Sequence, residues 1–155
     1  MHGKQAVVAT LNHLLAHELS SMDVYLQQGR MCGDWGYSKL EERLVHESSD
    51  ERAHADRLIQ RILFLDGEPN VLARIDLKIG RNVEEMFKGD LDYELTVAKN
   101  LNEAMQLCVA QADNASRALL EDLLKETEND HIRWLESQLF LIKELGLSLY
   151  LAQQI

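Results

Sequence analysis

Four glutamates and two histidines occur in the order Glu18, Glu51-x-x-His54, Glu94 and Glu128-x-x-His131. Their chemistry is that of a metal centre. Oxygen-rich ligation with one imidazole nitrogen per metal suits iron or manganese, and the absence of thiolates from the set argues against a structural zinc site. The i, i+3 spacing in Glu51/His54 and Glu128/His131 puts both side chains of each pair on one helical face, one turn apart. A carboxylate can then bridge two metals while each imidazole caps one. Burying four carboxylates alone would cost several kcal/mol each. Two Fe²⁺ ions carry the opposite charge and neutralise them. One Glu-x-x-His on a helix is a weak signal, since such pairs are common on solvated faces. Two of them with two further glutamates, each in phase with an apolar stripe, match a di-iron carboxylate centre in a four-helix bundle.

Other polar residues carry weaker signals. His46 and Asp50 are i, i+4 beside the second stripe and read either as an inner-surface iron site or as a solvated pair. His13 and His17 have the same spacing off the stripe and read as surface. Tyr25 lies on the first stripe, two turns from Glu18. It serves either as core packing with a satisfied hydroxyl or as an electron or hydrogen-bond donor beside iron. Glu47, the one stripe carboxylate outside the six, is expected to face water. Trp35 and Trp134 read as packing anchors.

The elements that must position these residues are four long helices. Leu11, Leu15, Glu18, Met22 and Tyr25 recur at steps of four and three in a helix from Gln5 to about Cys32. After Gly33-Asp34-Trp35-Gly36, Ser38 and Glu41 form a candidate capping box for a second helix running to about Leu65. Its stripe is Leu40, Leu44, Glu47, Glu51, His54 and Leu58. Asp66-Gly67-Glu68-Pro69 ends it. The stretch to about Asn82 has no helical period and is long enough to cross the length of a bundle. The third helix, about Val83 to Gln111, carries Phe87, Leu91, Glu94, Ala98, Leu101, Met105 and Cys108. The fourth, about Ala115 to Leu145, carries Leu120, Leu124, Glu128, His131, Leu135, Leu139 and Ile142. Gly146 precedes a short apolar tail, Leu147 to Leu151, that must pack on something to be helical. The expected fold is all-α: a single domain over residues 1–155, a four-helix bundle of ferritin-like topology with one long crossover and a short fifth helix.

Bulk properties agree with that architecture and exclude several classes. The chain has 155 residues, a single proline and a formal charge of −10, which disfavours nucleic acid and favours cations. Cys32 and Cys108 fit no metal or redox spacing and read as free thiols of a reducing compartment. No signal peptide or membrane span is apparent, so a cytoplasmic protein is expected.

Motifs along the chain resemble those of the bacterioferritins, from Met1 to Ile155. They include Leu14-Leu15, Glu18-Leu19, Arg30-Met31, Trp35-Gly36, His46-Glu47-Ser48, His54-Ala55-Asp56-Arg57, Arg61 to Leu65, Val83 to Met86, Ala98 to Leu101, Trp134-Leu135-Glu136 and Tyr150-Leu151. The resemblance implies a shell of 24 subunits around an iron mineral, with a ferroxidase centre in each bundle. It implies bridging roles for Glu51 and Glu128, terminal roles for Glu18 and Glu94, and one iron each for His54 and His131. It favours the inner-surface iron reading of His46 and Asp50, places Tyr25 beside the centre, and admits a ferredoxin-type reductant for iron release.

Departures from the family pattern sharpen the expectation. Bacterioferritins bind haem through a methionine directly after the second-helix glutamate, and this chain has Arg52 there. Arginine has no lone pair to offer iron, so haem is not expected from this chain alone, and a mixed shell with a haem-binding subunit is an alternative to a homomeric one. One extra residue stands between Arg117 and Glu128, which a helix can absorb as a π-bulge; it is expected before Leu120, and a bulge closer to Glu128 would alter how that residue bridges the metals. Leu149, Ala152, Arg133 and Phe140 replace polar or acidic residues near two iron entrances of the family. Iron storage with Fe²⁺ oxidation by O₂ or H₂O₂ is the leading functional expectation. A di-iron oxidase acting on an organic substrate, or a structural subunit of a partner's shell, are its rivals.

Overall fold

The computed structural model describes residues 3–155, and its helices are α1 (Gln5–Asp34), α2 (Ser38–Phe64), α3 (Val83–Ala110), α4 (Asn114–Glu126), α5 (Arg133–Leu145) and α6 (Leu147–Ala152). A π-helical turn, Thr127–Ile132, joins α4 to α5. The three form one long rod, the fourth of a bundle in which α1 packs on α2 and α3 on α4.

Between α2 and α3 the chain has no helix, and its hydrogen bonds give its direction. Asn12 Nδ2 donates to Glu68 O at 3.0 Å, and Asn70 N donates to Asn12 Oδ1 at 2.8 Å. Further on, Ile75 N donates to Ser20 Oγ at 2.8 Å and Arg74 Nε to Asp23 Oδ2 at 2.9 Å. The crossover therefore climbs α1 in the direction of α1, returning to the end where α2 began. That makes α3 parallel to α2, the ferritin-like arrangement.

Local chemistry sets the helix ends. Asp113 caps α4, accepting Ser116 N at 3.0 Å and the Arg61 guanidinium at 2.8 Å. Asn82 caps α3 by accepting Glu85 N at 3.0 Å. The capping box expected at Ser38 does not form: Tyr37 is the N-cap, without a side-chain bond, and Glu41 instead takes Arg30 at 2.7 Å. Gly146, at φ 79°, turns the chain into α6 with a conformation that costs other residues dearly. The tail then buries Tyr150, whose hydroxyl donates to Gln138 Oε1 at 2.6 Å.

Two apolar clusters fill the bundle. One holds Leu11, Leu15, Leu58, Leu101 and Leu120. The other holds Leu40, Leu44, Phe87, Leu135 and Ile142. In every helix of the bundle, the candidate ligands fall at or next to the passage from one cluster to the other. The fold thus brings them to one level.

Among the described residues no helix is long and apolar enough to cross a membrane.

Candidate metal centre

Glu18, Glu51, His54, Glu94 and His131 meet in the interior, each 1–2% exposed. Ligand atoms of Glu18, Glu51 and His54 lie within 4.8 Å of one another, and so do those of Glu51, Glu94 and His131. Glu51 belongs to both groups. Its carboxylate is therefore placed between two three-residue sets, each with a second carboxylate and one imidazole.

Both imidazoles are oriented in the same way. His54 Nδ1 lies 3.4 Å from Glu18 Oε2, and its Nε2 meets Glu126. His131 Nδ1 lies 3.0 Å from Glu51 Oε1 and 3.3 Å from Glu94 Oε1, while its Nε2 lies 2.6 Å from Glu47 Oε2. Each ring thus turns Nδ1 to the centre and Nε2 to an outer carboxylate. That is the second-sphere device that fixes tautomer and ring orientation in metal-ligating histidines. The rings lie nearly parallel, centroids 6.1 Å apart.

Neither outer carboxylate was expected. Glu47, expected in water, is 2% exposed. Arg43, one turn earlier, reaches its Oε1 at 2.5 Å and stacks on Trp134. Arg43 on one oxygen and His131 on the other make burial of Glu47 tolerable. Glu126 is half-exposed, and its only sequence signal is its place among the acidic residues before His131.

Glu128 is the exception among the six. It is exposed, and Thr127 is buried at this level instead. The cause is the position of the extra residue. It is absorbed at Thr127–Ile132, not before Leu120 as the spacing suggested. Widening the helix there moves the inward seam onto Leu120, Leu123, Thr127, His131 and Leu135, steps of three, four, four and four. Glu128 rotates off it.

Tyr25 packs among the bundle's apolar side chains and also faces the centre. Its hydroxyl donates to Glu94 Oε1 at 2.5 Å. Burial and the negative charge of Glu94 both push its pKa up, so it stays a phenol. His46 and Asp50 lie outside the cluster, 3.6 Å apart and partly solvated. Asp50 also comes within 3.9 Å of His131 Nε2. Of the other histidines among the described residues, His13 is on the surface, but His17 is 5% exposed. Trp134 is a packing anchor against Phe87, whereas Trp35 is 39% exposed. Arg52 points to solvent.

Electrostatically the cluster favours bound protons. Burial raises the Glu51 carboxyl well above its ordinary range, and the charges of Glu18 and Glu94 add to this. Burial opposes charge on both imidazoles, but the surrounding carboxylates outweigh it and raise His54 and His131. Glu18 Oε1 is buried with no hydrogen-bond partner. Carboxylate oxygens and neutral imidazole nitrogens in this arrangement suit hard to borderline divalent cations, and such cations would displace the protons.

A family model described as a ferritin-like domain matches residues 8–145. The bacterial ferritin of a Synechocystis species is 48% identical over 154 residues, covering 99% of both chains. That of Neisseria meningitidis serogroup A is 44% identical over the full length of both. The bacterioferritin of Mycolicibacterium paratuberculosis is 38% identical over 153 residues, which are 99% of this chain and 96% of that one.

Proposed function

The chain belongs to the ferritin-like family, and on that premise we propose that it stores iron and oxidises it on the way in. The observation that carries this reading is the position of Glu51 between two carboxylate–imidazole groups. Two Fe²⁺ substrates bind there, one held by Glu18 and His54, the other by Glu94 and His131, with Glu51 bridging. Each gives up one electron. The pair reduces O₂ to H₂O₂, or H₂O₂ to two waters, with uptake of two protons, and the Fe³⁺ product leaves for the cavity of a 24-subunit shell as ferric oxyhydroxide. Hydrolysis of the two Fe³⁺ by four waters releases six protons; two replace those consumed by the oxidant and four go to solvent. His46 and Asp50 are candidate hosts for iron on the inner surface.

The roles of this chain's residues follow from their contacts. Glu126 and Glu47 hold the two rings with Nδ1 inward. Tyr25 fixes Glu94 and is close enough to the centre to supply an electron or a hydrogen bond. Three inward carboxylates leave one positive charge of two Fe²⁺ unbalanced. Glu128 supplies the fourth if the π turn migrates by one residue, a shift that keeps the backbone hydrogen-bonded. We assign Glu128 that bridging role in the loaded centre.

Arg52 supports a second reading, in which this chain is the non-haem subunit of a shell shared with a haem-binding one. Haem content and subunit composition of the natively isolated particle separate the two. For the ferroxidase reading, Glu94→Gln and His131→Ala are expected to abolish the rapid phase of Fe²⁺ oxidation in stopped-flow absorbance while the shell still assembles. Unchanged kinetics in both would remove the assignment.

A further inference from the structure

We propose that His13 and His17 form a second divalent-cation site, of the Cu²⁺, Ni²⁺ or Zn²⁺ class, at the end of the groove between α1 and α3. The two residues are one helical turn apart, the spacing at which side chains on a helix converge. Their rings meet edge to face with centroids 4.7 Å apart. A ring bonded to a metal at about 2.0–2.1 Å has its centroid about 3.2 Å away, so two rings on one ion at square or tetrahedral angles lie roughly 4.5–5.2 Å apart. The pair is already at that separation.

A second, independent observation comes from the hydrogen bonds of His17. Its ring is 5% exposed, yet Nδ1 has no hydrogen-bond partner. Burying an imidazole nitrogen unpaired is unfavourable, and packing alone does not account for it. Two other contacts hold the ring. Tyr93 stacks on its face at 5.5 Å, and Asn100 Nδ2 lies 3.3 Å from Nε2. Turning the Asn100 amide over, which moves no heavy atom appreciably, lets Nε2–H donate to Oδ1. The free lone pair then sits on Nδ1. A carbonyl behind the ring fixes the tautomer as in other metal-ligating histidines.

The approach to His13 is open. A groove of about 420 Å³ is lined by Thr10, His13, Asn100 and Glu103. It admits a hydrated cation to an exposed His13 and offers the Glu103 carboxylate nearby. Two imidazoles with water select borderline cations over Mg²⁺ or Ca²⁺. The site shares no residue with the carboxylate cluster, so it can be tested apart from it.

Cu²⁺ titrated into the metal-free shell tests this, with binding counted per subunit and electron paramagnetic resonance recorded. His13→Ala, a change at an exposed helical position, is expected to lose one Cu²⁺ per subunit together with a signal showing coupling to two nitrogens. Its rapid Fe²⁺ oxidation is expected to be unchanged. Glu94→Gln is expected to retain that ion. Equal Cu²⁺ counts in wild type and His13→Ala would overturn the proposal, as would loss of the two-nitrogen signal in Glu94→Gln but not in His13→Ala.

Discussion

His131 Nε2 lies 2.6 Å from Glu47 Oε2, while Nδ1 of the same ring lies 3.0 Å from Glu51. One imidazole thus links the buried cluster to a carboxylate that leads outward, towards Asp50. Glu47 is held in turn by Arg43 at 2.5 Å. The ring cannot turn without breaking an ion pair on one side or the other.

Truncating Glu47 should therefore loosen His131 without touching the inner carboxylates. Loss of such outer partners typically lowers metal affinity by about 10–100-fold. We expect Glu47→Ala to weaken Zn²⁺ binding by that order in isothermal titration. Glu47→Gln, which can still accept from Nε2–H, should recover part of it. Equal losses in both variants would show that charge, not orientation, is what Glu47 provides.

Much of this arrangement was legible in the residue spacing. Glu18, Glu51, His54 and Glu94 lie on uninterrupted α-helices, where a 3.6-residue period carries phase reliably over several turns. The outward orientation of Glu128 is not readable from spacing, because a period cannot reveal where an inserted residue is absorbed. Leu120, Leu124, Glu128 and His131 keep plausible steps under an unbroken α-helix. Under a π turn at Thr127–Ile132 the same letters give a different face. Glu47 was on the inward stripe from the start. Its burial is not readable from spacing because its partners, Arg43 and His131, come from one turn away and from another helix, and only the fold brings the second of these to it.

Proton release should accompany metal uptake. The carboxylates raise His54 and His131 above the ordinary imidazole value of 6.5. Their protonated forms stabilise the metal-free fold fully below that value, and the contribution is lost as pH rises through the raised values. A cation needs the neutral ring, so it must displace these protons. Zn²⁺ binding near pH 7, measured in two buffers of different ionisation enthalpy, should release at least one proton per subunit. Affinity should rise with pH. Binding without proton release would contradict the charge state derived for the cluster.

Asp90 offers a separate handle on stability. Its side chain is 6% exposed, accepts from Gln28 Nε2 at 2.9 Å, and leaves Oδ2 without a partner. Burial pushes its pKa up to about 8 from 3.8; the Gln28 bond opposes this and the charge of Glu94 adds to it. With the folded value raised, stability from this group is complete below pH 3.8 and is lost as pH rises towards 8. Asp90→Asn removes the buried charge and retains the oxygen that accepts from Gln28. It should raise the thermal midpoint at pH 8 more than at pH 5, by roughly 2–4 °C for each kcal/mol gained. A midpoint lowered equally at both pH values would mean that Asp90 is anchored by a contact other than Gln28.

Deleting Thr127 tests the π turn itself. The deletion removes the extra residue and keeps Glu128-x-x-His131 intact. An unbroken α-helix then sets Glu128 one turn after Leu123, in the inward place that Thr127 occupies in the structure. In the natural chain, recruiting Glu128 requires the bulge to move, so part of the binding energy is consumed in that shift. In the deletion variant the carboxylate is already in place. Zn²⁺ affinity should therefore rise, by about tenfold if the shift costs about 1.4 kcal/mol. Glu128→Gln should also be more damaging in the deletion background than in the natural one. An equal effect in both backgrounds would mean that the π turn presents Glu128 to metal without rewinding. No effect in either would leave the centre to Glu18, Glu51, His54, Glu94 and His131, and would withdraw the bridging role assigned to Glu128.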